Sequence, residues 1–294
     1  MNTYTPVFLT VIGLILFEVI SSIDNAVINS EVLASLPPPN RRWFVRWGLL
    51  MAVVGMRGIL PWLIVWLATP YNGILGPLSG SLYQDEANMI LIHASSRLLL
   101  LSGGTALFLI FLYWLLVERA SQNRHSALRQ GVFYPAGAAL VAMGWYFAPT
   151  DNVQRAIIIG AIIFLILLTA KSLAAIPRQH MSKAAGRRAK MVYLEVLDSI
   201  FSIEAVLGAF AFTFSVPLIL IGNGIGAIIV RTVTAARGSE IRHIAFLKRG
   251  AMYALGFIGL IMVCDGLGAE LPGWLSFLTT VVAMGIAFMQ ANTE

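Results

Sequence analysis

Charge is what this chain has least of. Of 294 residues only 12% are Asp, Glu, Lys or Arg, about half the share a soluble domain of this length carries. With 58% hydrophobic residues and a mean hydropathy of +0.81, too little polar surface remains to keep a globule dissolved. Cysteine is nearly absent as well: Cys264 stands alone, which excludes an intrachain disulfide. No Lys or Arg precedes the first apolar run, and that run carries Glu18 and Asp24, so it does not read as a cleavable secretory signal. Strict apolar–polar alternation is missing too, which excludes a β-barrel.

What remains is a polytopic, all-α membrane protein. A hydrocarbon core about 30 Å thick takes roughly 20 apolar residues per helical crossing. Nine apolar runs are expected to cross, near 7–29, 46–69, 89–117, 132–148, 153–176, 192–214, 216–236, 249–266 and 273–291.

The formal charge of +6 is explained by membrane orientation rather than by nucleic acid, for which no partner role is expected. Arg41, Arg42 and Arg46 lie in the first connection, and Arg119, Arg124 and Arg129 in the third. Lys171, Arg178, Lys183, Arg187, Arg188 and Lys190 lie in or beside the fifth. Arg231, Arg237, Arg242, Lys248 and Arg249 lie in or beside the seventh. This alternation follows the positive-inside rule. It implies an outside N-terminus and a cytoplasmic C-terminus, in the inner membrane of a prokaryotic cell.

Ionisable groups inside membrane spans are costly and read by default as functional. Glu18 and Asp24 lie in the first run, and Glu195, Asp198 and Glu204 in the sixth. The two segments echo each other: Glu18-Val-Ile-Ser-Ser22-Ile-Asp24 and Asp198-Ser-Ile-Phe-Ser202-Ile-Glu204. Because the two runs cross in opposite directions, the echo reads as an inverted-topology repeat of the kind found in secondary transporters. Residues 1–117 then form one three-helix repeat and 192–267 the other, within a single transmembrane domain. Residues 118–191 carry two connecting helices and a basic loop, and 268–294 a terminal helix.

Antiparallel pairing would bring Glu18 level with Glu204, and Asp24 level with Asp198. Within a continuous helix the two acids of a segment lie about 9 Å apart in depth and about 120° apart around the axis, so one ion could reach both only where the helix unwinds. Ser22, Asn25 and Asn29 extend the polar stripe of Glu18, and Ser199 and Ser202 that of Asp198. Paired carboxylates with neighbouring oxygens suit a hard divalent cation such as Mg²⁺, Mn²⁺ or Ca²⁺. The expected metal-binding set is thus Glu18, Asp24, Asp198, Glu204, Ser22, Asn25 and Ser202. Glu195 fits either a ligand or a snorkelling side chain. Arg57, in mid-helix, is expected to balance charge; Arg231 fits that role or snorkelling equally. The bland alternative is a structural ion-pair network. No prosthetic group is expected.

These motifs resemble those of the TerC family, within the LysE-like transporter superfamily. The resemblance rests on Glu18 through Asn25, the basic loop 41–46 with Arg57, and Asp198 through Glu204. Glu204 departs from it, standing where that family's second motif ends in aspartate, and Glu195 is an additional acid. The resemblance implies efflux of a divalent cation, Mn²⁺ before Ca²⁺ or Mg²⁺, in exchange for protons, and no enzymatic activity. Rival readings are export of another small solute or oxyanion, an intramembrane hydrolase using two aspartates, and a membrane assembly factor that transports nothing. The oligomeric state is not legible.

Overall fold

A computed structural model describes residues 4–68, 74–78, 86–119, 126–175, 186–236, 246–269 and 271–291. Every regular element among them is helical. The first run is two helices, α1 (Tyr4–Ser21) and α2 (Ile23–Ala34). They are followed by α3 (Pro38–Ala68) and α4 (Glu86–Tyr113), which runs into a π-helical turn, Trp114–Glu118. Next come α5 (Ser126–Tyr146), α6 (Asp151–Ala175) and α7 (Arg187–Ala209). The chain ends with α8 (Val216–Ala236), α9 (Phe246–Cys264) and α10 (Trp274–Ala291).

Each apolar run therefore holds a helix, but the expected nine crossings and the inverted repeat are not confirmed. Among the described residues five helices are long and apolar enough to span a bilayer, or six if α1 and α2, bent by 54°, make one broken span. α7 falls short because Arg187, Arg188, Lys190, Glu195, Asp198 and Glu204 make it too polar. The protein is a helical membrane protein all the same. α3 exposes Trp47, Leu50, Met51 and Val54, and α6 exposes Ile158, Ile162, Leu165 and Ile166. Apolar surface on that scale needs lipid, not water, around it.

The interior forms around α1, α4, α7, α8 and α9, with Leu14, Phe17, Leu107, Val206, Ile219 and Ile258 fully enclosed. Small residues set the closest crossing. A Cβ on Gly104 of α4 would lie 2.7 Å from the Gly259 carbonyl of α9, so the two backbones touch as small-residue membrane helices do.

Two local departures from regular helix matter for the site. The first is the break at Ser22, whose φ of −85° and ψ of 0° lie outside the helical well. Ser21 Oγ donates back to the Glu18 carbonyl at 3.3 Å, a bond that competes with the helix ladder and bends it. The second is in α3, which is π-helical over Phe44–Gly48 and Met51–Ile59. Pro61 has no N–H to offer the Arg57 carbonyl, and Leu60 bonds five residues back to Gly55. The buried side of α3 is Phe44, Gly48, Ala52, Arg57, Pro61 and Val65.

α7 runs antiparallel to the broken first run. Asn25 meets Asp198, while a Cβ on Gly208 would strike the Phe17 ring; as one number falls the other rises.

Candidate functional site

The break in the first run separates two buried polar residues, Glu18 before it and Asn25 beyond it. Glu18, on the last turn of α1, is fully buried. Its Oε1 accepts from Ser22 Oγ at 2.7 Å and from Arg57 Nη2 at 2.5 Å; its Oε2 has no partner. Gly226 of α8 makes the room, since a Cβ there would lie 2.6 Å from that of Glu18. Beyond the break, Asn25 donates to Asp198 Oδ1 at 2.6 Å.

Arg57 reaches this point from the π-helical part of α3. Its Nη1 donates to the Ala52 carbonyl at 3.1 Å and lies 3.9 Å from Asp198 Oδ2. Arg231, on α8, stands on the other side of the same carboxylate, 3.7 Å from Oδ2. It donates to Glu195 Oε1 at 3.1 Å and stacks on the Phe44 ring at 3.9 Å. Gly48 leaves space for that pair, because a Cβ there would strike Glu195 Oε1. Asp198 is thus the bridge between two carboxylate–guanidinium pairs.

In formal charge, three carboxylates face two guanidiniums, leaving one negative charge uncompensated. Ser22, Asn25, Asn29, Arg57, Asp198 and Arg231 line a cavity of about 20 Å³, room for one water or one small ion. Two of the lining residues carry acceptor oxygens without a partner, Asn25 Oδ1 and Asn29 Oδ1, and Glu18 Oε2, on the carboxylate that Arg57 holds, is a third. Two donors, Arg57 Nε and Arg231 Nη1, are unpaired as well. Buried polar atoms seldom stay unsatisfied, so this chamber is built to hold something polar.

Glu204 lies elsewhere. It points to the other side of α7 and pairs with Lys171 Nζ of α6 at 2.5 Å. Ser202 is turned back on its own helix, donating to the Asp198 carbonyl at 2.6 Å, and Ser199 does the same to the Glu195 carbonyl. The Asp24 side chain lies outside the described residues. Of the residues read from sequence, then, Glu18, Ser22, Asn25, Glu195, Asp198, Arg57 and Arg231 share one neighbourhood, and Glu204 does not. Among the described residues no three His, Cys, Asp or Glu side chains converge as a ready metal site; each described acid of the set has a cationic partner.

Sequence reasoning used Lys171 only as one of the basic residues that set orientation, and did not single out the aromatic partners Phe44 and Phe201. One signal was available. Phe164, Leu168 and Lys171 recur at i, i+4 and i+7, which marks one helical face; all three line a second cavity.

Among curated proteins, the chain is similar to the uncharacterized membrane protein YceF of Bacillus subtilis (strain 168), with 29% identity over 101 residues. The match covers 34% of this chain and 39% of that protein. No solved structure matches. Over residues 23–294 the chain matches the family described as Protein of unknown function (DUF475). That match corrects the resemblance to TerC, which is not among the families matched. The preference for Mn²⁺, which rested on that resemblance, goes with it. The chain belongs to the DUF475 family of proteins of unknown function.

Proposed function

We propose that this membrane protein is a transporter of a small cation, and that a hard divalent metal ion is the cargo its donor set fits best. The observation that carries the reading is the chamber at the break of the first run. It has space for a single small ion beside Asp198 and two unpartnered acceptor oxygens on its wall, Asn25 Oδ1 and Asn29 Oδ1. The surrounding cluster of Glu18, Glu195 and Asp198 against Arg57 and Arg231 carries one formal negative charge in excess. Glu18, Asp198, Asn25 and Asn29 would supply oxygen ligands, the type that hard cations take.

In the described state Arg57 holds Glu18 and stands where a cation's charge would be needed. The working cycle therefore exchanges one positive charge for another. An arriving ion takes the Glu18 and Asp198 oxygens while Arg57 withdraws toward the Ala52 carbonyl that it already touches. A guanidinium that returns after release would keep the empty site from retaining a bare pair of carboxylates in low dielectric. Proton exchange fits the same scheme, with a carboxylate carrying a proton when neither ion nor arginine is on it. The break at Ser22 supplies the hinge that alternating access requires, as broken helices do at other transporter sites. The charge bias of the loops supports an outside N-terminus. This reading involves no covalent chemistry and no enzymatic step.

The rival is a framework of ion pairs that only ties α1, α3, α7 and α8 together, favoured by the fact that every described acid of the set has a cationic partner. Flux of divalent ions into dye-loaded proteoliposomes separates the two. The wild-type protein should carry Mg²⁺, Mn²⁺ or Ca²⁺, and Glu18→Gln and Asp198→Asn should each abolish the flux while remaining folded. Undiminished flux in both variants would sink the transport reading.

A further inference from the structure

The second cavity, of about 300 Å³, lies between α2, α4, α6, α7 and α9, apart from the chamber of Glu18. Its walls include Tyr113, Trp114, Phe164 and Phe201, and its charged groups are Lys171, Glu204, Glu118 and Lys248. Aromatic and apolar walls with a few convergent polar groups, at this volume, make a small-molecule site. The Glu118–Lys248 pair, 3.9 Å apart and nearly half exposed, marks its watery end.

The inner end is organised around an ammonium. Lys171 Nζ lies 4.8 Å from the Phe201 ring centre and 2.5 Å from Glu204 Oε1. A carboxylate beside an aromatic face is what recognises a cationic nitrogen in a desolvated pocket. Yet Lys171 fills the place poorly. The Glu204 side chain is nine-tenths buried, and its Oε1 has no hydrogen bond that meets proper geometry. Lys171 itself is a quarter exposed and sits one turn from the end of α6. Its long stem can carry the ammonium out to water, so its departure needs no replacement counter-charge.

We infer that the Glu204–Phe201 corner is a binding site for a small organic amine with an apolar body, and that Lys171 is its tethered occupant, displaced when the amine enters. The amine's nitrogen takes the place of Nζ against Glu204 and Phe201. Its hydrocarbon part lies along Phe164, Leu168 and Met252, which already line the space. This site is independent of the cation chamber, which shares no described ion pair with it.

The test uses the full chain in nanodiscs, with 4-fluorobenzylamine as probe and fluorine NMR as readout. Saturable binding is expected for the wild-type protein, at least tenfold tighter for Lys171→Met, which removes the competing charge and keeps the stem. Glu204→Gln, alone or with Lys171→Met, should weaken binding at least tenfold. The uncharged isostere 4-fluorobenzyl alcohol should not saturate, and Glu18→Gln should bind the amine like wild type even if it carries no ions. The amine should also raise the melting temperature of Lys171→Met. A pair that merely ties α6 to α7 predicts the reverse: Lys171→Met melts lower, gains no affinity and is not protected by the amine. That result, or equal binding by Glu204→Gln, overturns the proposal.

Discussion

Asn25 Nδ2 and Asp198 Oδ1 meet at 2.6 Å across 173 residues of chain, and this bond closes the chamber beyond the break in the first run. It joins α2 directly to α7, next to the point where Arg57 and Arg231 share the same carboxylate. A hydrogen bond to a charged group contributes about 1.5–3 kcal/mol. Asn25→Ala should therefore lower the unfolding free energy by roughly that amount, read from thermal or denaturant unfolding of the solubilised protein.

Asn25→Asp asks a different question of the same place. It would set a second carboxylate against Asp198, so the variant should be less stable than wild type in chelator. If the chamber takes a divalent ion, millimolar Ca²⁺ or Mn²⁺ should restore part of the lost melting temperature, and restore less in the wild-type protein. No cation-dependent recovery would count against a metal cargo.

Glu18 and Arg57 should show the non-additivity of a buried ion pair. Removing either partner, as in Glu18→Gln or Arg57→Met, strands the other and should cost about 3–5 kcal/mol. The double variant should lose less than the sum of the two singles. A double-mutant cycle on melting curves measures the coupling; a coupling near zero would mean the pair is not formed in the membrane.

Gly226 and Gly48 are the spaces into which the acids fit. Gly226→Ala pushes a methyl group against Glu18, and Gly48→Ala pushes one against Glu195 and Arg231. Each should destabilise by about 1–3 kcal/mol, the usual cost of overpacking, and should disturb ion flux as well. Gly55→Ala, where a Cβ meets nothing within 4 Å, is the matched control and should leave both unchanged.

The outer pair Glu118–Lys248 offers a contrast. Its members are 3.9 Å apart and solvent-accessible, so Lys248→Ala should change stability by less than about 1 kcal/mol. A larger loss in the same melting assay would show that the cavity mouth is structurally tighter than the exposure of its side chains indicates.

Much of the helical frame was legible because apolar runs are long and loops are short. Glu18, Asp198 and Arg57 were legible for the same reason in reverse: charge stands out in an apolar helix. What sequence could not supply was which charge meets which. Glu204 echoes Asp24 in the string of residues around it and yet turns toward Lys171, because a residue six places after Asp198 on a continuous helix faces a different neighbour. The first run breaks at Ser22 whereas α7 runs on through Ser202, so two matching strings of residues adopt different backbones. Lys171 counted only toward orientation because its charge was weighed, not the face it shares with Phe164 and Leu168.

The wide turns of α3 have a consequence for how its sequence must be read. Its buried residues, from Phe44 to Val65, follow one another at steps of four, four, five, four and four. On an ideal α-helix that series would wind around roughly 300° of the circumference, and Arg57 and Phe44 would look in unrelated directions. The π-helical turns slow the rotation and hold the series in phase. A guanidinium and an aromatic ring far apart along one helix can then front the same chamber. Deleting a single residue within Met51–Ile59 should swing everything before it by about 100° and turn Phe44 away from Arg231.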